Sequence, residues 1–288
     1  MVSILQTLDT GHSDDILDVQ VDYYGLAMAT CSSDGTIKIF HLKTQELITE
    51  LKGHSGPINE LSWAHPKFGC LLASCSFDKR IIIWKEERGW MKMNELLLNA
   101  AATCIQFAPY QFGLSLACGS LDGKVNIVSY ENGSWIVNKF QAHLLGCNSL
   151  SWEPSSNDSR CLVTGGCDNS VKVWQETVSG WEELAKIDAH KDSVVGVAWA
   201  PSSTVHMIAS CSTDKTVVLS VSTNKKNWTS TLLHTFQDPV SSVAWGQNVL
   251  AVTTSKKVFL WKENAQGQWQ CVSDTDLQTA EPNVIPNQ

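Results

Sequence analysis

Short apolar runs alternate with polar turns along the chain, and the same arrangement recurs six times. Five segments align without adjustment: LAMATCSSDGTIKIF, LLASCSFDKRIIIW, LSLACGSLDGKVNIV, CLVTGGCDNSVKVW and MIASCSTDKTVVLS. Each consists of two apolar runs of strand length around a turn that contains an Asp, a pattern typical of a β-hairpin. A sixth segment, VLAVTTSKKVFLW, keeps both runs but has no acidic residue in its turn, near residue 255.

The turn aspartates repeat with the period of a propeller blade. They are separated by 44, 44, 46 and 46 residues and comprise Asp34, Asp78, Asp122, Asp168 and Asp214. One further apolar run precedes each hairpin, and a fourth follows, usually opened by a tryptophan: Trp90, Trp135, Trp181, Trp228 and Trp269. Four strands in a repeat of about 40–45 residues is the organisation of a β-propeller blade. The sequence therefore predicts an all-β, six-bladed propeller.

A histidine precedes the first apolar run in four of the repeats and lies 22 to 25 residues before the turn Asp. This pattern resembles the WD40 repeat family, in which a His, a strand Ser or Thr, the turn Asp and a strand Trp form a hydrogen-bonded chain within each blade. The resemblance implies two complete sets, His54–Ser74–Asp78–Trp84 and His143–Thr164–Asp168–Trp174. It also implies two sets without the Trp, His12–Thr30–Asp34 and His190–Ser210–Asp214.

His, Asp and Ser side chains also make up catalytic triads, but the repetition argues against that role. A catalytic site occurs once in a chain, whereas these sets occur four times at equal spacing. A buried carboxylate needs a hydrogen-bonding partner, and a neighbouring His supplies one. The sequence therefore predicts structural sets, no enzyme and no cofactor or metal. The nearby Asp14, Asp15 and Asp18 are expected to be solvated at a turn and a strand start.

Composition and charge narrow the class of partner. The net charge is −8, with 21 basic and 29 acidic residues and no basic run, which disfavours direct binding of nucleic acid or of a membrane surface. No apolar run reaches the ~18 residues of a membrane span. None of the ten cysteines is spaced as C-x-x-C. Five of them precede a turn Asp and are expected to be small, buried strand residues: Cys31, Cys75, Cys118, Cys167 and Cys211.

Several longer sequence segments resemble one particular family of WD40 proteins. DYYGLAMATCSSDGTIKIF, FGLSLACGS, AHLLGCNSLSWEP, TGGCDNSVKVW and VFLWKENAQGQWQCVSD are similar to the Sec-thirteen family, the small propeller subunit shared by the COPII vesicle-coat cage and the Y-shaped scaffold of the nuclear pore. They favour this subunit over the sister propeller of the pore scaffold. The likeness covers residues 1–274, which we assign to the propeller. Residues 275–288 are polar and contain proline, and we expect a flexible tail.

Counting strands suggests that the ring is unfinished. The run Val2, Ser3, Ile4, Leu5, Gln6, Thr7 and Leu8 precedes the first Gly-His pair and so occupies the position of an outer strand. The run Trp269–Ser273 already supplies the fourth strand of the sixth blade. If both are strands, one is left over and would be the outer edge of a seventh blade. In the alternative, Val2–Leu8 closes the sixth blade and Trp269–Ser273 is a surface strand.

The family resemblance implies an open propeller whose seventh blade is completed by a partner chain. The implied partners are the helical rod subunit of the COPII cage and a helical scaffold nucleoporin of the Y complex. The family also serves in an amino-acid-sensing complex. The implied locations are the cytoplasmic face of the endoplasmic reticulum and COPII vesicles, the nuclear pore, and the lysosomal or vacuolar membrane surface. The rival hypothesis is a closed WD40 propeller that binds peptides through basic turn residues: Lys79, Arg80, Lys191 and Lys215.

Overall fold

The computed structural model describes residues 7–154, 159–201, 205–246 and 248–276. Within them the chain forms six four-stranded antiparallel sheets, in each of which the strands are neighbours in sequence order. The predicted all-β, six-bladed propeller fold is therefore confirmed. The chain divides into two compact units, one of residues 10–152 and the other of the described residues from 153 onward with residues 7–9.

The strands have the following bounds. The first three sheets comprise β1 Ile16–Val21, β2 Ala27–Ser32, β3 Thr36–His41, β4 Leu47–Lys52, β5 Ile58–Trp63, β6 Leu71–Ser76, β7 Arg80–Glu86, β8 Trp90–Leu97, β9 Ala102–Phe107, β10 Ser115–Ser120, β11 Lys124–Glu131 and β12 Ser134–Gln141. The last three comprise β13 Cys147–Trp152, β14 Cys161–Gly166, β15 Val171–Thr177, β16 Gly180–Ile187, β17 Val194–Trp199, β18 His206–Ser212, β19 Thr216–Ser222, β20 Thr229–Thr235, β21 Val240–Trp245, β22 Leu250–Thr254, β23 Lys257–Glu263 and β24 Trp269–Asp276.

Helical structure in the described residues is confined to two short 3-10 turns, Pro66–Phe68 and Tyr110–Phe112. Each lies between the first and second strands of its sheet, and each is followed by a glycine with positive φ, Gly69 and Gly113. No helix among the residues the structure describes is long and apolar enough to cross a membrane.

The core forms where the first strand of one sheet packs on the face of the sheet before it. Ile58 and Leu61 of β5 lie in one buried cluster with Ala29, Cys31 and Ile37 of the first sheet. Alternate residues of a strand point to the same side, so the period-two pattern of the sequence places these side chains together. In the unit that begins at residue 153, Val194 and Val197 of β17 pack in the same way among residues of β14 and β15.

Carboxylates on the first strands also connect neighbouring sheets of the 10–152 unit. Asp18 Oδ2 accepts a hydrogen bond of 2.9 Å from the Leu61 N–H, and Glu60 Oε2 accepts one of 2.7 Å from the Ile105 N–H. The expectation that Asp18 is solvated is therefore wrong. Its partner lies 43 residues away in the next sheet, and burial raises the pKa of Asp18 above its usual value despite the hydrogen bonds it accepts.

Four of the five cysteines singled out are buried strand residues, namely Cys31, Cys75, Cys118 and Cys211. The prediction is wrong for Cys167, which lies past the end of β14 and is half-exposed. The interior position of that strand is occupied by Gly165. A Cβ there would lie 2.6 Å from Cγ1 of Val194, so the site has no room for the cysteine side chain found at this position in other blades.

The sixth blade contains a fourth strand of its own. Strand β24 pairs with β23 from Lys257↔Asp276 to Glu263↔Trp269. It includes the predicted run Trp269–Ser273 and continues two residues past the predicted propeller boundary at 274. Of the run expected to form a spare strand, Val2, Ser3, Ile4, Leu5 and Gln6 lie outside the described residues, and Thr7 and Leu8 are not in a strand.

Candidate functional site

Each turn aspartate is fixed by the hairpin in which it lies. Asp34 Oδ1 accepts from the Thr36 N–H at 2.9 Å, and Asp78 Oδ1 accepts from the Arg80 N–H at the same distance. Asp168 and Asp214 make the same bond, to the residue two places on. This is an Asx-type turn, which orders the carboxylate locally. The second carboxylate oxygen of Asp34 and of Asp78 then faces a histidine.

The second blade contains one continuous polar chain. Trp84 Nε1 donates to Ser74 Oγ at 2.9 Å, Ser74 Oγ lies 2.8 Å from His54 Nε2, and His54 Nδ1 lies 2.9 Å from Asp78 Oδ2. The Ser55 N–H also donates to Asp78 Oδ2, at 3.0 Å. Burial lowers the pKa of His54 below its usual value, so the ring is neutral at pH 7. A neutral ring that donates from Nδ1 and accepts at Nε2 satisfies every member of the chain.

The first and fifth blades hold the shorter sets. His12 lies 2.9 Å from both Asp34 Oδ2 and Thr30 Oγ1. His190 Nε2 lies 2.8 Å from Ser210 Oγ, and its Nδ1 lies 3.4 Å from Asp214 Oδ2.

Of the last predicted set, His143 belongs to the 10–152 unit, where it is buried. In the other unit, Trp174 Nε1 donates to Thr164 Oγ1 at 2.9 Å, and Asp168 Oδ1 accepts from Ser170 Oγ at 2.7 Å.

The hydroxyls in these sets are buried. Those of Thr30, Ser74 and Ser210 belong to residues that are at most 1% exposed. Burial would by itself raise the pKa of Asp78, but hydrogen bonds from Ser55 N–H and from His54 lower it. The carboxylate is therefore charged and fully engaged. Among the residues the structure describes, no cluster of three metal-ligating side chains is present.

The first strand of the first blade differs from the other first strands in the exposure of its apolar side chains. Ile16 and Val19 of β1 occupy the register positions that Ile58 and Leu61 occupy in β5. Ile58 and Leu61 are 0% and 1% exposed, whereas Ile16 and Val19 are 44% and 48% exposed. The corresponding residues of the other first strands are also buried, including Ala102, Cys147, Val194 and Val240. Strand β1 thus presents to solvent the apolar side that every other first strand packs against a neighbouring sheet.

The sixth blade shows a related departure in its own unit. Ala251 and Leu260 pair in register, as do Thr253 and Val258, at the positions that Ala29, Ile39, Cys31 and Ile37 hold in the first blade. The four residues of the first blade are fully buried under β5. The four residues of the sixth blade are half-exposed. This face therefore lacks the cover that a following blade provides elsewhere.

The chain was compared with known proteins. The family described as "WD domain, G-beta repeat" matches residues 3–41, 45–85, 134–175 and 181–219. The Protein SEC13 homolog of Drosophila melanogaster is 43% identical over 317 residues, covering 100% of this chain and 89% of the relative. The chain belongs to the Sec13 (Sec-thirteen) family. The Protein transport protein sec13 of Emericella nidulans is 41% identical over 93% of this chain and 97% of the relative, and the Protein transport protein SEC13 of Cryptococcus neoformans var. neoformans is 41% identical over 93% and 96%.

The WD40 matches in this Sec13-family chain follow the polar sets. They cover the first, second, fourth and fifth repeats, where His and Asp are both present, and omit the stretches around the third and sixth. In the third blade Asp122 accepts instead from Ser120 and from its neighbour Lys124. Two of the four proposed peptide-binding cations have local partners, because Arg80 pairs with Glu95 at 2.8 Å and Lys215 donates to the Gln237 carbonyl.

Sequence reasoning missed the exposed side of β1, although one signal was available. Five of the six first strands end in an aromatic residue: Trp63, Phe107, Trp152, Trp199 and Trp245. In three of these, Trp63, Trp152 and Trp245, the indole N–H donates to a carbonyl of the first strand of the preceding sheet. Strand β1 ends in Val21, which cannot make this bond. Among the first strands of the described sheets, β1 is thus the one that ends without an aromatic residue and has its apolar side exposed.

Proposed function

We propose that this Sec13-family chain is a non-enzymatic scaffold subunit of membrane-bending coats, acting in the COPII outer cage for transport from the endoplasmic reticulum to the Golgi and in the Y-complex scaffold of the nuclear pore. In both it accepts a β-blade inserted by a helical partner, the rod subunit of the cage or a scaffold nucleoporin. Two relatives carry the name protein transport protein, which supports the first role. The exposed apolar side of β1 is the observation that carries the proposal.

The energetics favour insertion. Fully burying a Val, Leu or Ile side chain contributes ~1.5–3 kcal/mol. Ile16, Val19 and Val21 are each a little under half exposed, so covering all three is worth about 3 kcal/mol. A three-stranded insert would bury on the order of 2,000 Å², the size of an obligate interface. Until then the isolated chain is expected to self-associate through these apolar surfaces.

The proposed locations follow from the partners. The chain would act at the cytoplasmic face of the endoplasmic reticulum and on COPII vesicles, and at the nuclear pore. The amino-acid-sensing complex at the lysosomal or vacuolar surface would use the same apolar side of β1, so one surface would serve three assemblies.

A charge placed on β1 tests the insertion. Val19→Asp puts a carboxylate on a surface that the partner must desolvate, so affinity for the rod subunit's blade segment should fall at least about tenfold. Val137→Asp is the matched control, because Val137 on β12 is 42% exposed but lies on an outer strand. Both variants and the wild type would be co-expressed with the segment, and binding would be measured by calorimetry. Equal affinity of Val19→Asp and wild type would contradict insertion and favour the closed adaptor.

A further inference from the structure

A cavity of about 380 Å³ opens between the first and second sheets of the 10–152 unit. Its apolar lining includes Ile48 and the two indoles Trp63 and Trp90, whose ring centroids are 5.8 Å apart at an interplanar angle of 67°. Its polar lining includes Asp22, Glu86 and Cys70, and the lining that the described residues form contains no Lys or Arg. An aromatic-lined pocket of a few hundred cubic ångströms with few polar groups is typical of a ligand site.

Both carboxylates have free acceptor capacity. Asp22 Oδ1 accepts from the N–H groups of Leu26 and Ala27, whereas Oδ2 has no hydrogen-bond partner among the described residues. The carboxylate of Glu86 likewise has none within the part of the chain that the structure describes. Burial raises the pKa of Cys70, and the negative charges of Glu86 and Asp22 raise it further, consistent with both carboxylates lying near the thiol. The cavity is therefore negatively charged, and no cationic side chain is among the described residues that line it.

The equivalent position in the other unit contains that cation. Glu153 follows β13 as Asp22 follows β1, and Trp199 ends β17 as Trp63 ends β5. Trp228 packs edge-on against Trp199 at 6.0 Å, as Trp90 does against Trp63. There Lys225 Nζ lies 2.7 Å from Glu153 Oε2, and the Glu153 side chain is only 2% exposed. A carboxylate beside two packed indoles thus binds a lysine ammonium elsewhere in this chain, where His206 Nδ1 also lies 3.1 Å from Glu153 Oε1.

Turn length explains why only one pocket is filled from within. Five residues separate Ser222 from Trp228, and Lys225 lies among them with a left-handed backbone (φ 61°). Three residues separate Glu86 from Trp90 at the corresponding turn. This turn is two residues shorter and provides no lysine to the cavity.

We propose that the cavity between the first and second sheets binds a lysine side chain supplied by a partner protein. The ammonium group pairs with Asp22 and Glu86, and the methylene stem lies along Trp63, Trp90 and Ile48. Cation–π attraction is strongest with indole, and a lysine stem readily packs on apolar surface while its charge is paired. The lining of this site includes no residue of β1, and the proposal does not depend on blade insertion.

Cys70 allows the chemistry to be tested in the full chain. Cystamine and bis(2-hydroxyethyl) disulfide place an ammonium or a neutral hydroxyl group on a thiol through chains of the same length. Each reagent would be equilibrated with the protein at a fixed thiol-to-disulfide ratio, and the adducts at Cys70 and at the exposed Cys271 would be quantified by peptide mass spectrometry. Preference for the ammonium adduct at Cys70 should exceed that at Cys271 by about fivefold.

Charge-neutral variants locate the effect. Asp22→Asn and Glu86→Gln should each reduce the preference at Cys70 to within about twofold of that at Cys271. Glu87→Gln is the matched control, because Glu87 is adjacent but pairs with Lys85 outside the cavity. N-acetyl-lysine methylamide should compete with cystamine at Cys70, and its norleucine counterpart should not. Equal preference at both cysteines, or an equal effect of Glu86→Gln and Glu87→Gln, would overturn the proposal.

Discussion

Removing the Asp78 carboxylate should unfold the second blade more readily than removing the same group from the third. Asp78 accepts from His54 Nδ1, from the Ser55 N–H and from the Arg80 N–H, at 2.9 to 3.0 Å, and its side chain is 4% exposed. Asp78→Ala leaves three donors without their acceptor. Asp122 of the third blade has no histidine partner and is 27% exposed, so Asp122→Ala is the natural comparison.

The expected loss of stability follows from the number of hydrogen-bond donors that lose their acceptor. Leaving a buried donor unsatisfied costs ~1–3 kcal/mol, and water reaches part of this turn, so three donors amount to about 3 kcal/mol. For Asp122, water replaces the lost partners and about 1 kcal/mol is expected. In a chain of this size 1 kcal/mol corresponds to roughly 2–4 °C in Tm. Asp78→Ala should therefore lower Tm by about 6–12 °C, and Asp122→Ala by about 2–4 °C.

Thermal unfolding followed by circular dichroism measures both values at pH 7. Hydrogen exchange then shows whether faster exchange is concentrated at Ser55 and Arg80, whose amides lose their acceptor. The lowered pKa of Asp78 adds a pH signature. A depressed carboxyl pKa gives stability that is present above the unfolded value near 3.9 and is lost as the pH falls through the folded value. The gap between wild type and Asp78→Ala should therefore narrow below pH 4. Equal Tm losses for the two variants would refute the argument, because the turn alone would then carry the stability.

Three further outcomes are expected. Gly123→Ala should lower Tm strongly, because the added Cβ would lie 2.2 and 2.3 Å from two backbone carbonyl oxygens, whereas Gly133→Ala, also at positive φ but with open space around it, should cost about 1 kcal/mol. Lys225→Met should destabilise the chain by about 2–3 kcal/mol in urea unfolding, since it removes an ionic partner of the buried Glu153, and a smaller loss in the Glu153→Gln background would demonstrate the pairing. Burial raises the pKa of Glu60 well above its usual value, so the contribution of Glu60 to stability is greatest below pH 4.5 and is lost as the pH rises. When the pH is lowered from 7 to 5, the wild type should therefore gain stability relative to Glu60→Gln. A difference that stays constant over this range would contradict the prediction.

Much of the fold could be predicted because its signals are local. The turn Asp, the residue with positive φ that follows it and the two flanking apolar runs lie within about fifteen residues, so period-two alternation identifies the hairpins. The polar sets could also be predicted from the sequence, because residue types such as those of His54, Ser74 and Asp78 repeat at nearly fixed separations. Trp269 was placed correctly as the start of a fourth strand for the same reason.

The remaining features depend on contacts between blades, which no local pattern reports. Asp18 looked solvated because its partner, the Leu61 amide, belongs to another sheet. Cys167 resembles the other cysteines that precede a turn Asp, but the crowded interior position of its blade is occupied by Gly165. The cavity beside Trp90 lies at a turn that is two residues shorter than its counterpart before Trp228. Two missing residues leave no pattern in the sequence that could predict the cavity.

The pair of pockets also bears on how repeat proteins acquire partners. In a tandem array one blade plan recurs with turns of different length, and the longer turn of the fifth blade supplies Lys225 to Glu153. Where the turn is two residues shorter, the carboxylates remain and the lysine is absent. The lysine site proposed between the first and second sheets is thus the internal contact of one blade made intermolecular at another.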